Sequence, residues 1–533
     1  MATVWNRANS LVLAVLLAQA PWAFALDELS LEVRPGNTLI GIGGRYLEQP
    51  ARWTELKRLN RVGNERRLRP GTLLRIPLDW LRWSELDAEV IHVHGSVTSN
   101  RGPLSAGMRI KAGDSFDTGA QGALTLRLSD GAIVVFAPMT RAALAVSRAA
   151  AAASIRATRI ELQGGSAEST VAPLVAPASR FEIRTPRVVT AVRGTRFRVA
   201  ADGEVSRHEV LDGVVALGSG TQDALRLNSG QGVRAQAGQL GAVVALLGAP
   251  DLSSLPALVE RTAQRLEIAP MQGASGWRWQ VAADAAFTQL LQDEKTPQPV
   301  WLLTGLEDGD FHLRVRAADA QELEGREAQA VLRVRARPEP PLQITPGPGA
   351  SVVAGSALVW AELADAPAYH VQVSRDARFT DLLLDRSGVA ASRIGLDPAW
   401  VPGLYYWRVA TQRKDGSRGP FGDPASFTIL QPSSLTPPEL HDGRLRLVWS
   451  GPAGFSHQVQ VAMQTDFSNP EFDQLVPGAS VELPKPAPGT HHVRTRLVLP
   501  GGATGPWSAV QRFEVPPEKS WWPLLLIFLL PLL

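Results

Sequence analysis

FEIRTPRVVTAVRGTRFRV, Phe181 to Val199, carries the clearest strand pattern in the chain. Phe181, Ile183 and Thr185 alternate with Glu182 and Arg184, the period of two expected of a strand with one buried and one wet face. Pro186 stops that strand. After the Arg193-Gly194 turn signal a second alternating run puts Thr195, Phe197 and Val199 on one face and Arg196 and Arg198 on the other. Two strands and a corner are expected, with Arg184, Arg187, Arg193, Arg196 and Arg198 gathered around it against Glu182 alone. Such a patch is either a contact surface for an acidic partner or a solvated face.

Working outward, LSAGMRIKAGDSFDTGAQGALTLRLSDGAIVVFAP (Leu104 to Pro138) precedes this run, and HEVLDGVVAL (His208 to Leu217) and LNSGQGVRA (Leu227 to Ala235) follow it. The order of turn glycines and strand phases resembles the periplasmic domain of the FecR family, named for the iron-dicitrate sensor that relays an outer-surface signal to a sigma factor. The resemblance covers residues 88–237 and implies an all-β domain, solenoid-like or a sandwich, that senses a signal or contacts an envelope protein. Family regulators place a cytoplasmic segment and a membrane span at their N-terminus. A different N-terminus here points to a binding module rather than sigma-factor control. Within the region, RAAAAASIR (Arg148 to Arg156) combines a helix-favouring alanine run with strand-like neighbours, so a loop or short helical excursion is expected. His92 and His94 share a strand face, but no third ligand candidate lies nearby and a structural or exposed role is expected.

The N-terminus has Arg7, an apolar run from Leu11 to Leu17 and the small-residue signal Ala23-Phe24-Ala25, a secretory signal peptide pattern that predicts a mature start at Leu26. From Leu29 to Pro77 the order is strand, helix, helix, strand, in LEVRPGNTL, IGIGGRYL, WTELKRLN and PGTLLRIP. This resembles a LysM module, the βααβ unit that binds N-acetylglucosamine polymers. The resemblance implies peptidoglycan binding between two loops, Gly36, Asn37, Thr38 and Leu39 on one side and Leu68, Arg69, Pro70 and Gly71 on the other. Gly41, Gly43 and Gly44 crowd the first helix, each weakening it by about 1 kcal/mol relative to Ala. The basic run Lys57, Arg58, Arg61, Arg66, Arg67, Arg69 and Arg75 is either a face for an anionic wall polymer or phospholipid surface or a solvated helix face. LDWLRWSEL (Leu78 to Leu86) reads as a connector, with Trp80 and Trp83 packing at a domain joint.

A chain of 533 residues holds several domains. With no Cys there is no disulfide or thiol chemistry, and 54 basic against 51 acidic residues argue against a nucleic-acid partner. Residues 241–268 read as a linker helix. Beyond it lies an internal repeat. Gln280-Val281, Gln372-Val373 and Gln460-Val461 recur 92 and 88 residues apart, each Val six residues ahead of a Phe (Phe287, Phe379, Phe467). Each copy continues with FHLRVRA, YYWRVAT or HHVRTRL and a closing strand, and Trp360 and Trp449 sit on early strands. Short strands at this density indicate β-sandwiches, similar to fibronectin type III modules, over 269–337, 338–430 and 431–517, with Pro-rich spacers between copies. The chain ends SWWPLLLIFLLPLL, where Trp521 to Leu533 is too short for a straight membrane span and reads as a shallow membrane anchor, a recognition tail for an envelope machine or a buried strand, the first favoured by Trp521-Trp522 beside Lys519.

No phosphate loop, zincin motif or nucleophile elbow stands out, so neither a cofactor nor a metal is implied. The expectation is a mainly β, multidomain, non-catalytic envelope protein of a Gram-negative periplasm that binds peptidoglycan and presents a FecR-like domain. The alternative is a wall-directed enzyme, a peptidoglycan hydrolase or its activator, targeted by the LysM-like module.

Overall fold

The computed structural model describes residues 28–174, 176, 178–219 and 224–517. The expected signal peptide, 1–25, and hydrophobic tail, 518–533, lie outside the described residues. Among the described residues no helix is long and apolar enough to cross a membrane. The chain is mainly β and divides into two compact units, one running to Val334 and one from Arg335 onward, with Glu260–Thr262 assigned to the second.

In the first unit, strand β1 (Glu28–Glu32) pairs antiparallel with β2 (Leu73–Pro77) beside helices α1 (Leu39–Tyr46) and α2 (Trp53–Leu59). Alternation along β2 turns Leu74 and Ile76 inward onto Val33, Leu39, Ile42 and Leu56. Helix α1 starts where Thr38 Oγ1 accepts the Gly41 N–H at 3.0 Å, satisfying one of the open donors of the first turn. One of its costly glycines is required, because a Cβ on Gly43 would lie 2.7 Å from the Pro50 carbonyl oxygen. Asn60 ties α2 to β2, donating to the Arg75 carbonyl at 2.8 Å and accepting its N–H at 2.7 Å.

From Ser84–Glu85 to Val244–Ala245 the strands pair into a closed ring. The run around Phe181 makes three strands rather than the expected two. Arg180–Arg184 pairs antiparallel with Val189–Val192, because Val188, Thr190 and Val192 alternate inward and continue the chain as a hairpin instead of a bare turn. Gly194 then turns at φ +114°, where a Cβ would meet Pro173 Cα at 2.6 Å, and Arg196–Asp202 follows. The alanine run forms one 3-10 turn, Ala151–Ala153, at the tip of the hairpin Arg141–Ala150 and Ile155–Thr170. That tip docks in the βααβ core, where Ala150, Ile155 and Ala178 are buried with Leu39, Ile42 and Leu47. Trp83 sits at the same joint under the Arg148 guanidinium, 4.4 Å from its ring centroid.

The expected linker helix over 241–268 is absent, and strands replace it. Leu258–Val259 pairs parallel with Arg333–Val334, and Ala263–Glu267 pairs antiparallel with Val300–Thr304. Pro256 would leave an unmade hydrogen bond inside a helix, while Leu266 and Ile268 alternate inward as a strand requires. The first sandwich therefore begins near Leu258, ahead of residue 269. Its core holds Trp279 and Trp301, with centroids 6.1 Å apart.

In the second unit each repeat again places two sheets face to face. The sheets hold Trp360 and Trp407 in one core and Trp449 in the other. Phe287, Phe379 and Phe467 all adopt left-handed backbone, φ 56°, 59° and 56°, a conformation that bulky residues rarely take. An arginine lies over each ring, Arg314 at 4.2 Å, Arg408 at 4.0 Å and Arg494 at 4.0 Å. In each repeat that arginine donates through Nε to the repeated glutamine, Gln280, Gln372 or Gln460. The glutamine donates in turn to Asp293, Asp385 or Asp473. One Asp–Gln–Arg–Phe relay thus underlies all three copies.

Candidate functional site

Two constructions in the first unit concern function: the groove of the βααβ module and an ionic joint between the Phe181 domain and the first sandwich. At the groove, each loop implicated by sequence bonds to chain just ahead of the other, the Leu39 N–H donating to the Glu65 carbonyl at 2.9 Å and the Gly71 N–H to the Val33 carbonyl at 2.8 Å. Gly36, Arg69, Pro70 and Gly71 are exposed, and Asn37, Thr38 and Leu68 half-buried. Two side chains are already engaged: Asn37 Oδ1 accepts the Arg34 N–H at 2.9 Å, and Thr38 caps α1. Leu39 needs correction as a glycan contact, since its side chain is fully buried and its N–H taken. Besides the exposed Pro70, Ile40 is available there, 46% exposed. The helical period signals this, because Leu39, Ile42 and Gly43 define the inward stripe and Ile40 falls beside it. Of the basic run, Lys57 pairs with Glu65 at 2.7 Å and Arg75 approaches Glu28 at 3.6 Å.

The five arginines around the Phe181 run separate into two groups. Arg184 pairs with Glu182 at 2.9 Å and Arg187 with Glu204 at 3.1 Å near the surface, and Arg193 is exposed. Arg196 and Arg198 instead point into the first sandwich. Arg196 bridges Glu168 of its own domain at 2.6 Å and Glu327 of the sandwich at 2.9 Å. Arg198, 5% exposed, pairs with Glu209 at 2.8 Å and donates to the Glu324 and Gly325 carbonyls. From the sandwich, Arg314 and Arg316 reach Glu168 at 3.0 and 2.6 Å, and Arg278 bridges Asp293 at 2.6 Å and Glu324 at 2.7 Å. Five arginines thus interlock with the carboxylates Glu168, Glu209, Asp293, Glu324 and Glu327. The Thr125 hydroxyl donates to the Thr288 carbonyl at 2.7 Å, and His92 Nε2 lies 3.1 Å from the Leu290 carbonyl, which gives His92 a structural place at this joint. Among the described residues no group of three or more metal-ligating side chains gathers.

Residues 114–216 match the family model described as FecR protein. The hairpin tip, the Phe181 run and the joint's Glu168, Arg196, Arg198 and Glu209 all belong to this FecR region. Among solved structures, two of a Parabacteroides distasonis protein assigned as an anti-sigma factor are similar to 24% of the chain, at 18% and 19% identity and TM-scores of 0.21 and 0.20. The chain spans 57% of the length of those structures. The FN1–FN3 domains of chicken CNTN1 are similar over 51% of the chain and 99% of their own, at 14% identity and a TM-score of 0.22. No curated protein matches.

Electrostatically the FecR joint is a closed account of charge. Burial alone would raise the Glu168 carboxyl, but Arg314, Arg316 and Arg196 outweigh it and hold the group well below the usual carboxylate range. Glu324 behaves alike under Arg278, Arg316 and Arg198. Burial and the like charge of Arg316 bring Arg314 down to about 10, so it stays protonated at neutral pH. Beside the joint, burial pushes His208 down to about 3, so its ring is neutral, held between the Thr190 and Ser206 hydroxyls at 2.9 Å each. Sequence reasoning missed Glu168, Glu209, Arg278, Arg314, Arg316, Glu324 and Glu327, because outward-facing strand charges read the same whether water or another domain covers them. The one available signal was repetition: Arg314 and Arg316 recur as Arg494 and Arg496.

Proposed function

We propose that this chain is a non-catalytic envelope protein in which a LysM-like module grips peptidoglycan and carries a FecR sensing or interaction domain. The observation that carries this reading is mechanical continuity. The FecR hairpin tip shares a core with the βααβ module, and the FecR region is locked to the first sandwich by buried ion pairs. A load or ligand taken up at the groove therefore reaches the FecR region through packed elements rather than a linker. The groove supplies loop backbone from Gly36 and Gly71 for acetamido groups and the apolar faces of Ile40 and Pro70 for sugar rings. The FecR match and the secretory pattern support an envelope location and a signalling role.

Pelleting with purified sacculi tests the proposal. The mature chain is expected to sediment with peptidoglycan, and Ile40→Asp combined with Gly71→Glu to abolish sedimentation while its thermal transition persists. Equal sedimentation of both forms, or of neither, would remove the groove from the function. Release of soluble muropeptides by the wild-type chain would refute the non-catalytic reading.

A further inference from the structure

The outer sheet face of the third sandwich repeats the positions with which the first sandwich holds the FecR region, yet stacks them on an indole where the first sandwich meets carboxylates. Strands Ser456–Ala462 and Gly489–Val498 pair with Gln460 opposite Arg494 and Gln458 opposite Arg496. In the first sandwich Gln280 stands opposite Arg314 and Arg278 opposite Arg316. There the two outer arginines converge on Glu168 of the FecR region. In the third repeat Arg494 and Arg496 donate through Nε to Gln460 and Gln458, both at 2.8 Å, and their guanidiniums lie 4.3 and 4.4 Å from the Trp507 ring centroid. Among the described residues no carboxylate lies within ion-pair distance of either. The acid on this face, Asp473, is engaged by the Gln458 and Gln460 amides at 2.6 and 2.9 Å. Leu475 completes the face, opposite Gln458 and 58% exposed.

The second repeat lacks this arrangement. Ala410 occupies the second arginine position; Arg408 is stacked between Phe379 and Phe421 at 4.0 and 4.3 Å, much as Arg494 is between Phe467 and Trp507, so the missing second arginine is the difference. We infer that the third sandwich is a docking module for a partner protein that presents paired carboxylates on a β-sheet face, the chemistry Glu168 and its neighbours supply to the first sandwich. Two neighbouring guanidiniums held by glutamines and an indole are preorganised for bidentate carboxylate contacts, and Leu475, on the edge strand, adds exposed apolar area beside them. A second copy of this chain does not fit, because its own matching acidic face is already occupied by its first sandwich.

The test is site-specific photo-crosslinking of the full chain in its native envelope, with a photoreactive phenylalanine analogue at Leu475. The expected result is a crosslink to one other protein through a peptide holding at least two Asp or Glu. It should fall at least tenfold in Arg494→Glu/Arg496→Glu and to an intermediate level in Arg494→Lys/Arg496→Lys, which keeps the charge but loses the bidentate fork. An unchanged thermal transition of the Arg494→Glu/Arg496→Glu chain separates lost binding from lost folding. No crosslink, a crosslink to lipid or to another copy, or one indifferent to these charge changes overturns the inference.

Discussion

Glu168→Gln is the sharpest perturbation of the FecR joint. The carboxylate takes five N–H donors from three arginines: Arg196 at 2.6 and 3.2 Å, Arg314 at 3.1 and 3.0 Å and Arg316 at 2.6 Å. At an effective dielectric near 20 and charge separations of roughly 4 Å, each guanidinium attracts it by about 4 kcal/mol, so the gross attraction is about 12 kcal/mol. Desolvating a buried carboxylate returns several kcal/mol of that. Glutamine keeps the shape and one acceptor but leaves five arginines facing four carboxylates. Removing one partner of a buried pair costs about 3–5 kcal/mol, and that is the expected loss. In calorimetry the transition of the first unit should fall by about 6–10 °C, at roughly 2 °C per kcal/mol for a body of this size. Arg187→Ala is the control. Its pair with Glu204 is more than half exposed on both sides, so it should cost under about 0.5 kcal/mol. Adding Arg316→Gln restores charge parity, and the double variant should lose less than the sum of the singles. A loss below about 1 kcal/mol in Glu168→Gln, or strict additivity in the pair, would show that the network does not couple the domains.

Three further outcomes follow from the same structure. A Cβ on Gly325 would sit 2.7 and 2.8 Å from Leu247 O and Cβ, so Gly325→Val should pry the joint open and expose residues 241–262 to protease; unchanged digestion would argue against close packing there. Ile155→Ala should cost about 2–5 kcal/mol and selectively loosen the βααβ module, seen as faster amide exchange in 28–78; uniform exchange would deny the shared core. Below pH 6.5 the unfolded chain protonates the histidine that the fold keeps neutral down to about 3, so His208 removes stability as pH falls, at up to about 1.4 kcal/mol per unit. The depressed Glu168 and Glu324 add loss in the same direction only below about 4.5. His208→Gln should therefore flatten the stability curve between pH 6.5 and 4.5, and an unchanged slope would refute the assignment.

The period-two pattern around Phe181 was legible because hydrophobic alternation is local, and so was the repeat, because Gln, Val and Phe recur at fixed offsets. Residues 241–268 misled because amphipathic helix and edge strand share composition over short spans, and what decides is pairing with Arg333–Val334 and Val300–Thr304, partners up to about 75 residues away. Leu39 was assigned to the groove through position in a motif. Helical phase puts that side chain inward and Ile40 outward. For Arg196 and Arg198 a contact surface and a solvated face were indistinguishable, since alternation specifies that a side chain points away from its own core and says nothing about what lies there.

The repeats extend that point. All three sandwiches carry the same relay, so the relay belongs to the module and not to any one contact. What differs is the residue that covers the arginine. Phe421 lies opposite Ala410 in the second sandwich, and Glu327 lies opposite Arg316 in the first. Exchanging an aromatic cover for a carboxylate turns a face that stacks on itself into one that exchanges ion pairs with a neighbouring sheet. Trp507 keeps the third sandwich in the stacked form while Arg496 supplies the second arginine of the ionic form. Its face is thus intermediate between a closed module and a bound one, which is the condition a reversible docking surface needs: the arginines have a stable partner in the indole until a pair of carboxylates offers a stronger one.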